Sequence, residues 1–264
     1  MDNNKIMKIA LEQSAIDCCC APEDFLSSNN SVHVSKASDR ARRYLELPHL
    51  CDLVSYGTNI VATGREDLLP KIARCIDCMP SIENCFETPG LYPLNQILEP
   101  EGARICFMAD YFLPDMDAVF RYEQPCGVSC ELRVMGDTEF AELYLPEWKN
   151  ALCADRKHLD RLAVGAFDRG KLVGLAGCSA DCDTMWQIGV DVLPEYRRQG
   201  IASALTNRLA RETFERDLVP FYCAAWSNVK SVRNAIRSGF RPGWVEITAK
   251  SDAYIEKMMK KGLR

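Results

Sequence analysis

Only three histidines, His33, His49 and His158, stand among the 264 residues, and no apolar run approaches the ~20 residues needed to cross a bilayer. The scarcity of imidazole leaves little for a His-rich metal set. The missing apolar run argues against a membrane partner. The start, Met1-Asp2-Asn3-Asn4, lacks the basic-then-apolar order of a secretion signal, so a cytoplasmic protein is expected. Basic charge is in deficit too: 32 Lys and Arg against 37 Asp and Glu give a net −5, which supplies no face for nucleic acid or an anionic membrane. One dense basic cluster, Arg40, Arg42 and Arg43, reads as a solvated helix face before Tyr44 and Leu45.

Cysteine is plentiful, with 14 residues, and in a reducing compartment these are expected as thiols. Cys75 and Cys78 form one C-x-x-C, and Cys126/Cys130 and Cys178/Cys182 are looser pairs. No second C-x-x-C or paired histidines complete a zinc set, so no metal site is assigned. The run Cys18-Cys19-Cys20 has no evident mechanism.

At 47% hydrophobic and 26% charged residues, the chain has the balance of a globular protein with a full core. Its length favours two domains, and the Pro- and Gly-containing stretch from Leu113 to Cys130 is the expected connection. The division is placed at 1–125 and 126–264. In the first part a helix is expected near Ile6 to Ile16, a strand from Leu53 to Thr63, a helix from Arg65 to Met79 ended by Pro80, a loop from Glu87 to Gly102 and a strand from Ala103 to Phe112.

In the second part a short helix is expected at Thr138 to Leu145. Arg161–Phe167 and Lys171–Cys178 read as a hairpin turning at Asp168-Arg169-Gly170. Alternation from Trp186 to Val192 predicts a strand closed by Pro194. A helix over Ile201–Glu215, a strand over Phe221–Trp226, a helix over about Asn228–Ser238 with Gly239 as its C-terminal cap, and a strand over Trp244–Thr248 follow.

The informative stretch is Val190-Asp191-Val192-Leu193-Pro194-Glu195-Tyr196-Arg197-Arg198-Gln199-Gly200-Ile201-Ala202-Ser203: a strand, a basic turn and a helix start. Helix N-termini expose unpaired N–H groups and partial positive charge, so a phosphate can sit there if no side chain blocks it. Gly200 and Ala202 give that clearance. The first turn lacks the usual acid while Arg197 and Arg198 precede it, so an external anion would balance the charge. An ordinary surface turn with solvated arginines is the alternative.

Arg197-x-x-Gly200-x-Ala202 resembles the Q/R-x-x-G-x-G/A motif of the GNAT N-acetyltransferases, and the strand ending Trp226-Ser227-Asn228 and the run Asn228-x-x-Ser231 to Gly239-Phe240 are similar to the elements that follow it there. The resemblance covers about Glu131 to Lys250. With Asn150-Ala151-Leu152-Cys153 and Gly177-Cys178-Ser179-Ala180-Asp181-Cys182, it is similar to an uncharacterised bacterial group with an extra N-terminal domain.

The resemblance implies an α/β protein whose C-terminal part has the GNAT fold, a mixed, mostly antiparallel sheet flanked by helices, with a smaller α/β N-terminal domain that shapes the acceptor site or serves interaction. It implies acetyl-CoA as cosubstrate, held by the Val190 and Val192 backbones, by Arg197, Arg198, Gln199, Gly200, Ile201, Ala202 and Ser203 around the pyrophosphate, and by Asn228 and Ser231 along the pantetheine arm. The acceptor would be a small-molecule or peptide amine, with room for a homodimer.

The family's frequent carboxylate falls here at Trp186 or Gln187, and its frequent Tyr at Ala235. Asp191 and Tyr222, on strands flanking the implied slot, are the substitutes named as catalytic candidates; a surface carboxylate and a core aromatic are the alternatives. Gly189 serves either a bulge that opens the slot or a small residue beneath a packed side chain. Cys178, Cys182 and Cys223 offer a covalent route without a nearby His. The missing acid and base also suit an acetyl-CoA-binding sensory module without turnover, and an interaction protein with buried thiols and no cofactor is a third reading.

Overall fold

A computed structural model describes residues 1–125 and 129–262. In chain order the elements are α1 (Asn3–Asp17), a 3-10 turn (Pro22–Leu26), β1 (Ser31–Val34), β2 (Cys51–Ser55), β3 (Val61–Gly64), α2 (Leu69–Asp77), α3 (Ile82–Cys85), α4 (Thr88–Leu98), β4 (Ala103–Pro114), α5 (Met116–Arg121), β5 (Glu131–Gly136), β6 (Asp160–Asp168), β7 (Lys171–Ser179), β8 (Met185–Val192), α6 (Ile201–Phe214), β9 (Val219–Ala225), α7 (Val229–Arg237), β10 (Phe240–Ser251) and α8 (Asp252–Gly262). Among the described residues no helix is long and apolar enough to cross a membrane.

Two compact units result, and they do not follow a division at 125/126. One unit is Met1–Ala10 with Tyr111–Pro242; the other is Leu11–Asp110 with Gly243–Arg264. The reasons are local. Asn3 donates its side-chain amide to Asp115 at 3.2 Å and accepts from the Met116 N–H at 2.9 Å, which ties the chain start to the first unit. In the second unit Val245–Thr248 of β10 pair antiparallel with Asp52–Ser55 of β2, so the C-terminal segment returns there. Part of the expected seam, residues 126–128, lies outside the described residues.

The second unit is α/β. β1 runs parallel to β3, and β2 pairs antiparallel with both β3 and β10. Leu53, Ile60, Ala62, Leu68, Ile72, Leu94, Leu98 and Ile247 form its apolar core. The single strand expected over 53–63 is instead a hairpin, because Gly57 at φ +97° supplies a tight turn. The stretch expected as loop carries α4: Pro89 sits in the first turn, where its missing N–H costs little, and Leu94 and Leu98 are buried. Arg42 corrects the expected solvated face. It is buried, its guanidinium 2.6 Å from Asp17 and 4.8 Å from the centre of the Trp244 ring.

The first unit is a mixed, mostly antiparallel sheet in the order β9-β8-β7-β6-β5, in which β8 and β9 run parallel and the other three pairs antiparallel. The β6–β7 turn has Arg169 at φ +49° and Gly170 at φ +83°, the left-handed pair a two-residue hairpin demands. Helix α6 packs on this sheet through Ile201, Ala204, Leu205 and Leu209. Gly174 makes the approach possible, since a Cβ there would lie 2.9 Å from Leu205 Cδ1. The connection Leu113–Cys130 contains α5, capped when the Asp115 carboxylate accepts from the Ala118 N–H. No helix forms at 138–145; the chain turns there and buries Phe140 and Trp148.

Candidate functional site

β8 is the hinge of the site. It pairs antiparallel with β7 from Gln187↔Ser179 to Val192↔Gly174, and parallel with β9 from Met185↔Val219 to Ile188↔Tyr222. Beyond Ile188 the ladder to β9 ends among the described residues, while β8 continues to Val192 and β9 to Ala225. The two strand ends therefore leave Gly189–Val192 without β9 hydrogen bonding, and backbone N–H and C=O groups left so are ready to take an added extended chain. Val190 and Val192 lie on this stretch, half-buried against the core.

No register shift breaks β8 against β7 at Gly189. Gly189 stands opposite Gly177, and the backbone of Asn150 and Ala151 lies across both: a Cβ on Gly189 would meet Asn150 O at 1.8 Å, and one on Gly177 would meet Ala151 O at 2.2 Å. The glycine is a clearance for backbone and not for the packed side chain expected over it. Asp191, on the same face two residues along, holds the loop. Its Oδ2 accepts from Asn150 N at 2.7 Å and Ala151 N at 3.0 Å, and its Oδ1 from Asn150 Nδ2 at 2.6 Å.

After Val192 the chain makes a 3-10 turn (Pro194–Tyr196) and then a basic bend. Arg197 Nε donates back to Val192 O at 2.9 Å, Arg198 sits at φ +64°, and Gly200 at φ +88° forms the N-cap of α6. Left-handed residues alternating with others turn successive N–H groups to one side, an anion-binding concavity. Among the described residues no side chain caps α6, and its first turn holds no acid. Ile201 points its side chain into the core, so its contribution to the bend is backbone. Ser203 Oγ donates to Gly200 O at 2.9 Å and lies 3.0 Å from the Tyr122 hydroxyl. Arg197, Arg198 and Gln199 are exposed and Ala202 is half-buried. Positive helix end, two arginines and a cradle without a cap together fit a pyrophosphate.

The third part is α7. Asn228 caps it, its Oδ1 accepting from Ser231 N at 3.2 Å. Ser231 Oγ lies 2.8 Å from the Tyr222 hydroxyl, so Asn228, Ser231 and Tyr222 form one chain of polar groups at the point where β8 and β9 part. Tyr222 is 4% exposed, its ring among Phe112 and Phe240. Burial pushes its pKa up, partly offset by hydrogen bonds with Ser231 and Asn234. Ala235 is wholly buried in the core, where a tyrosine has no room. Cys178 is buried and its thiol is pushed far up by burial, which removes it as a nucleophile.

The structure thus gathers the turn 197–203, Val190, Val192, Asn228, Ser231 and Tyr222 around one divergence of strands, and gives Asp191 a loop to hold. Two contributors escaped the sequence. Tyr122 reaches Ser203 from a segment that reads only as connection, fastened to α6 by Arg211, which donates to the carbonyls of Val119, Phe120 and Tyr122. The Asn150–Ala151 loop had a faint signal in the paired glycines 177 and 189.

Residues 117–240 match the model of the acetyltransferase (GNAT) family. This stretch, just under half of the chain, is what is similar to that family. Among solved structures, a GCN5-related N-acetyltransferase from Kribbella flavida is similar at 21% identity and TM-score 0.47, covering 61% of this chain and 63% of that one. A GCN5-related N-acetyltransferase-like protein from Streptococcus suis has 17% identity and TM-score 0.43, covering 62% and 69%. An aminoglycoside N-acetyltransferase in complex with CoA has 20% identity and TM-score 0.35, covering 42% and 88%. The chain spans about two thirds of the length of the first two. No curated protein matches its sequence.

Proposed function

We propose that the protein is an acetyl-CoA-dependent N-acetyltransferase acting on an amine of a small molecule or peptide. The observation that carries this is the end of the β8–β9 ladder at Ile188/Tyr222 beside an N-terminus of α6 that no side chain caps. The amides of Gln199 to Ser203, with Arg197 and Arg198, hold the pyrophosphate. The open backbone at Val190 and Val192 takes the pantetheine amides, and Asn228 and Ser231 border the arm. Acetyl-CoA supplies the activated thioester.

For proton handling the chain offers Tyr222. A buried phenol with a raised pKa keeps its proton at neutral pH and can give it to a departing thiolate through the Ser231 hydroxyl or directly. Asp191 is better suited to positioning than to base catalysis, because three donors already occupy its carboxylate. The acceptor amine then loses its proton to solvent.

That occupied carboxylate also favours a second reading, an acetyl-CoA-binding regulatory module without turnover. Calorimetry with acetyl-CoA followed by release of free CoA across a panel of amines tests both. Binding with turnover supports the enzyme, binding without turnover on any amine supports the module, and absence of binding removes both.

A further inference from the structure

The second unit holds a cluster outside the acetyl-transfer machinery. Cys20 follows the C-terminus of α1, Asp24 lies in the 3-10 turn Pro22–Leu26, and His33 is on β1. Their ligand atoms, one thiol sulfur, one carboxylate oxygen and one imidazole nitrogen, all lie within 4.8 Å of one another, and all three residues are half-buried. Among the described residues this is the one group of three or more such side chains so gathered. From it we infer a binding site for a zinc-type divalent cation, ligated by Cys20, Asp24 and His33.

The donor set is the first support. Sulfur, imidazole nitrogen and carboxylate oxygen together suit borderline-soft Zn²⁺, whereas Mg²⁺ and Ca²⁺ take oxygen sets. Spacing is the second. Zn–N and Zn–O bonds of about 2.0–2.1 Å and Zn–S of about 2.3 Å put tetrahedral ligand atoms about 3.3–3.6 Å apart. His33 Nε2 is 3.6 Å from Asp24 Oδ2, so that pair needs no adjustment, and the thiol, within 4.8 Å of both, need move no more than about 1 Å, within reach of a χ1 change.

The surroundings orient the ligands, as metal sites require. The Ala21 N–H donates to Asp24 Oδ2 at 2.8 Å and fixes that carboxylate, while Ser31 Oγ, 3.0 Å from His33 Nε2, gives that nitrogen up to the ion on binding. Cys19, at φ +55°, turns the chain out of α1 and toward the cluster. His33 and Asp24 retain 24% and 33% side-chain exposure, so an ion can arrive without unfolding. Three ligands leave the fourth position for water or another donor. The ion would clip together three segments that are otherwise joined by short loops, and so stabilise the unit.

The test uses full-length protein stripped of metal and titrated with Co²⁺, whose thiolate charge-transfer absorption reports a cysteine ligand. One equivalent should bind with that band, Zn²⁺ should displace it, and added Zn²⁺ should raise the melting temperature. Cys20→Ser and His33→Ala should each abolish the band, while the double variant Cys75→Ser, Cys78→Ser should keep it. Circular dichroism checks folding, and the half-exposed His33→Ala and Asp24→Asn decide the matter if Cys20→Ser misfolds. The inference is overturned if no band develops, or if it survives in folded Cys20→Ser and His33→Ala protein, or if it disappears with Cys75 and Cys78 instead.

Discussion

Replacing Gly200 with glutamate separates the anion site from the fold. Gly200 is the N-cap of α6 at φ +88°. An L-residue in that left-handed conformation costs about 1–2 kcal/mol, and a carboxylate at a helix N-terminus returns about 0.3–1 kcal/mol. Against a native stability of about 5–15 kcal/mol the variant should stay folded. Binding is another matter. A carboxylate about 4 Å from a phosphate charge, at an effective dielectric near 20, is repelled by ~4 kcal/mol. That corresponds to about a thousandfold rise in Kd for acetyl-CoA.

Gly200→Ala is the control, with the same backbone strain and no charge. It should melt lower by a similar margin yet bind acetyl-CoA within about tenfold of the parent, since ~1.4 kcal/mol is all that tenfold requires. Calorimetry gives the affinities and thermal melts the stabilities. A folded Gly200→Glu protein that binds acetyl-CoA as the parent does would refute the placement of the pyrophosphate at α6.

Gly189→Ala pushes a methyl into Asn150 O and should cost about 1–3 kcal/mol; Asp191→Asn, which loses charge-assisted acceptors, should cost about 1.5–3 kcal/mol. Both should lower the melting temperature of the first unit, and an undisturbed melt in either would show that the loop is not held as described. Tyr222→Phe should lower kcat/KM at least about tenfold with a smaller change in acetyl-CoA affinity, and an unchanged rate would remove Tyr222 from proton transfer. In the second unit burial raises the pKa of Asp52 to about 7 and of Glu246 to about 8, while burial lowers that of His49. The folded state therefore holds protons the unfolded carboxylates release, so stability falls as pH rises from the ordinary carboxylate range near 4 and the loss is complete by about 7 to 8; His49 acts the opposite way below its ordinary range. Chemical denaturation from pH 6.5 to 8.5 should show that decline, flattened in Asp52→Asn and Glu246→Gln, and a stability that rises over the window would contradict the buried-acid account.

What could be read from the chain was whatever is local. The β6–β7 turn, the strand-to-helix bend at Arg197–Gly200 and the cap at Gly239 each depend on residues a few places apart, and all three stand where spacing puts them. The proline-rich stretch at α4 misled because Pro89 suits the first turn and the helix also accommodates Pro93 in its interior, held by its buried face of Gly90, Leu94 and Leu98. Asp191 could not be read because its partners lie some forty residues earlier, and Arg42 could not because Asp17 and Trp244 approach it from distant parts of the chain. The cysteine run shows the same limit. Cys18 is buried in the second unit, Cys19 makes the turn, and Cys20 meets Asp24 and His33 only because β1 pairs with β3, placing His33 opposite Thr63. Three adjacent residues of one type thus have three separate physical roles, and only long-range pairing assigns them.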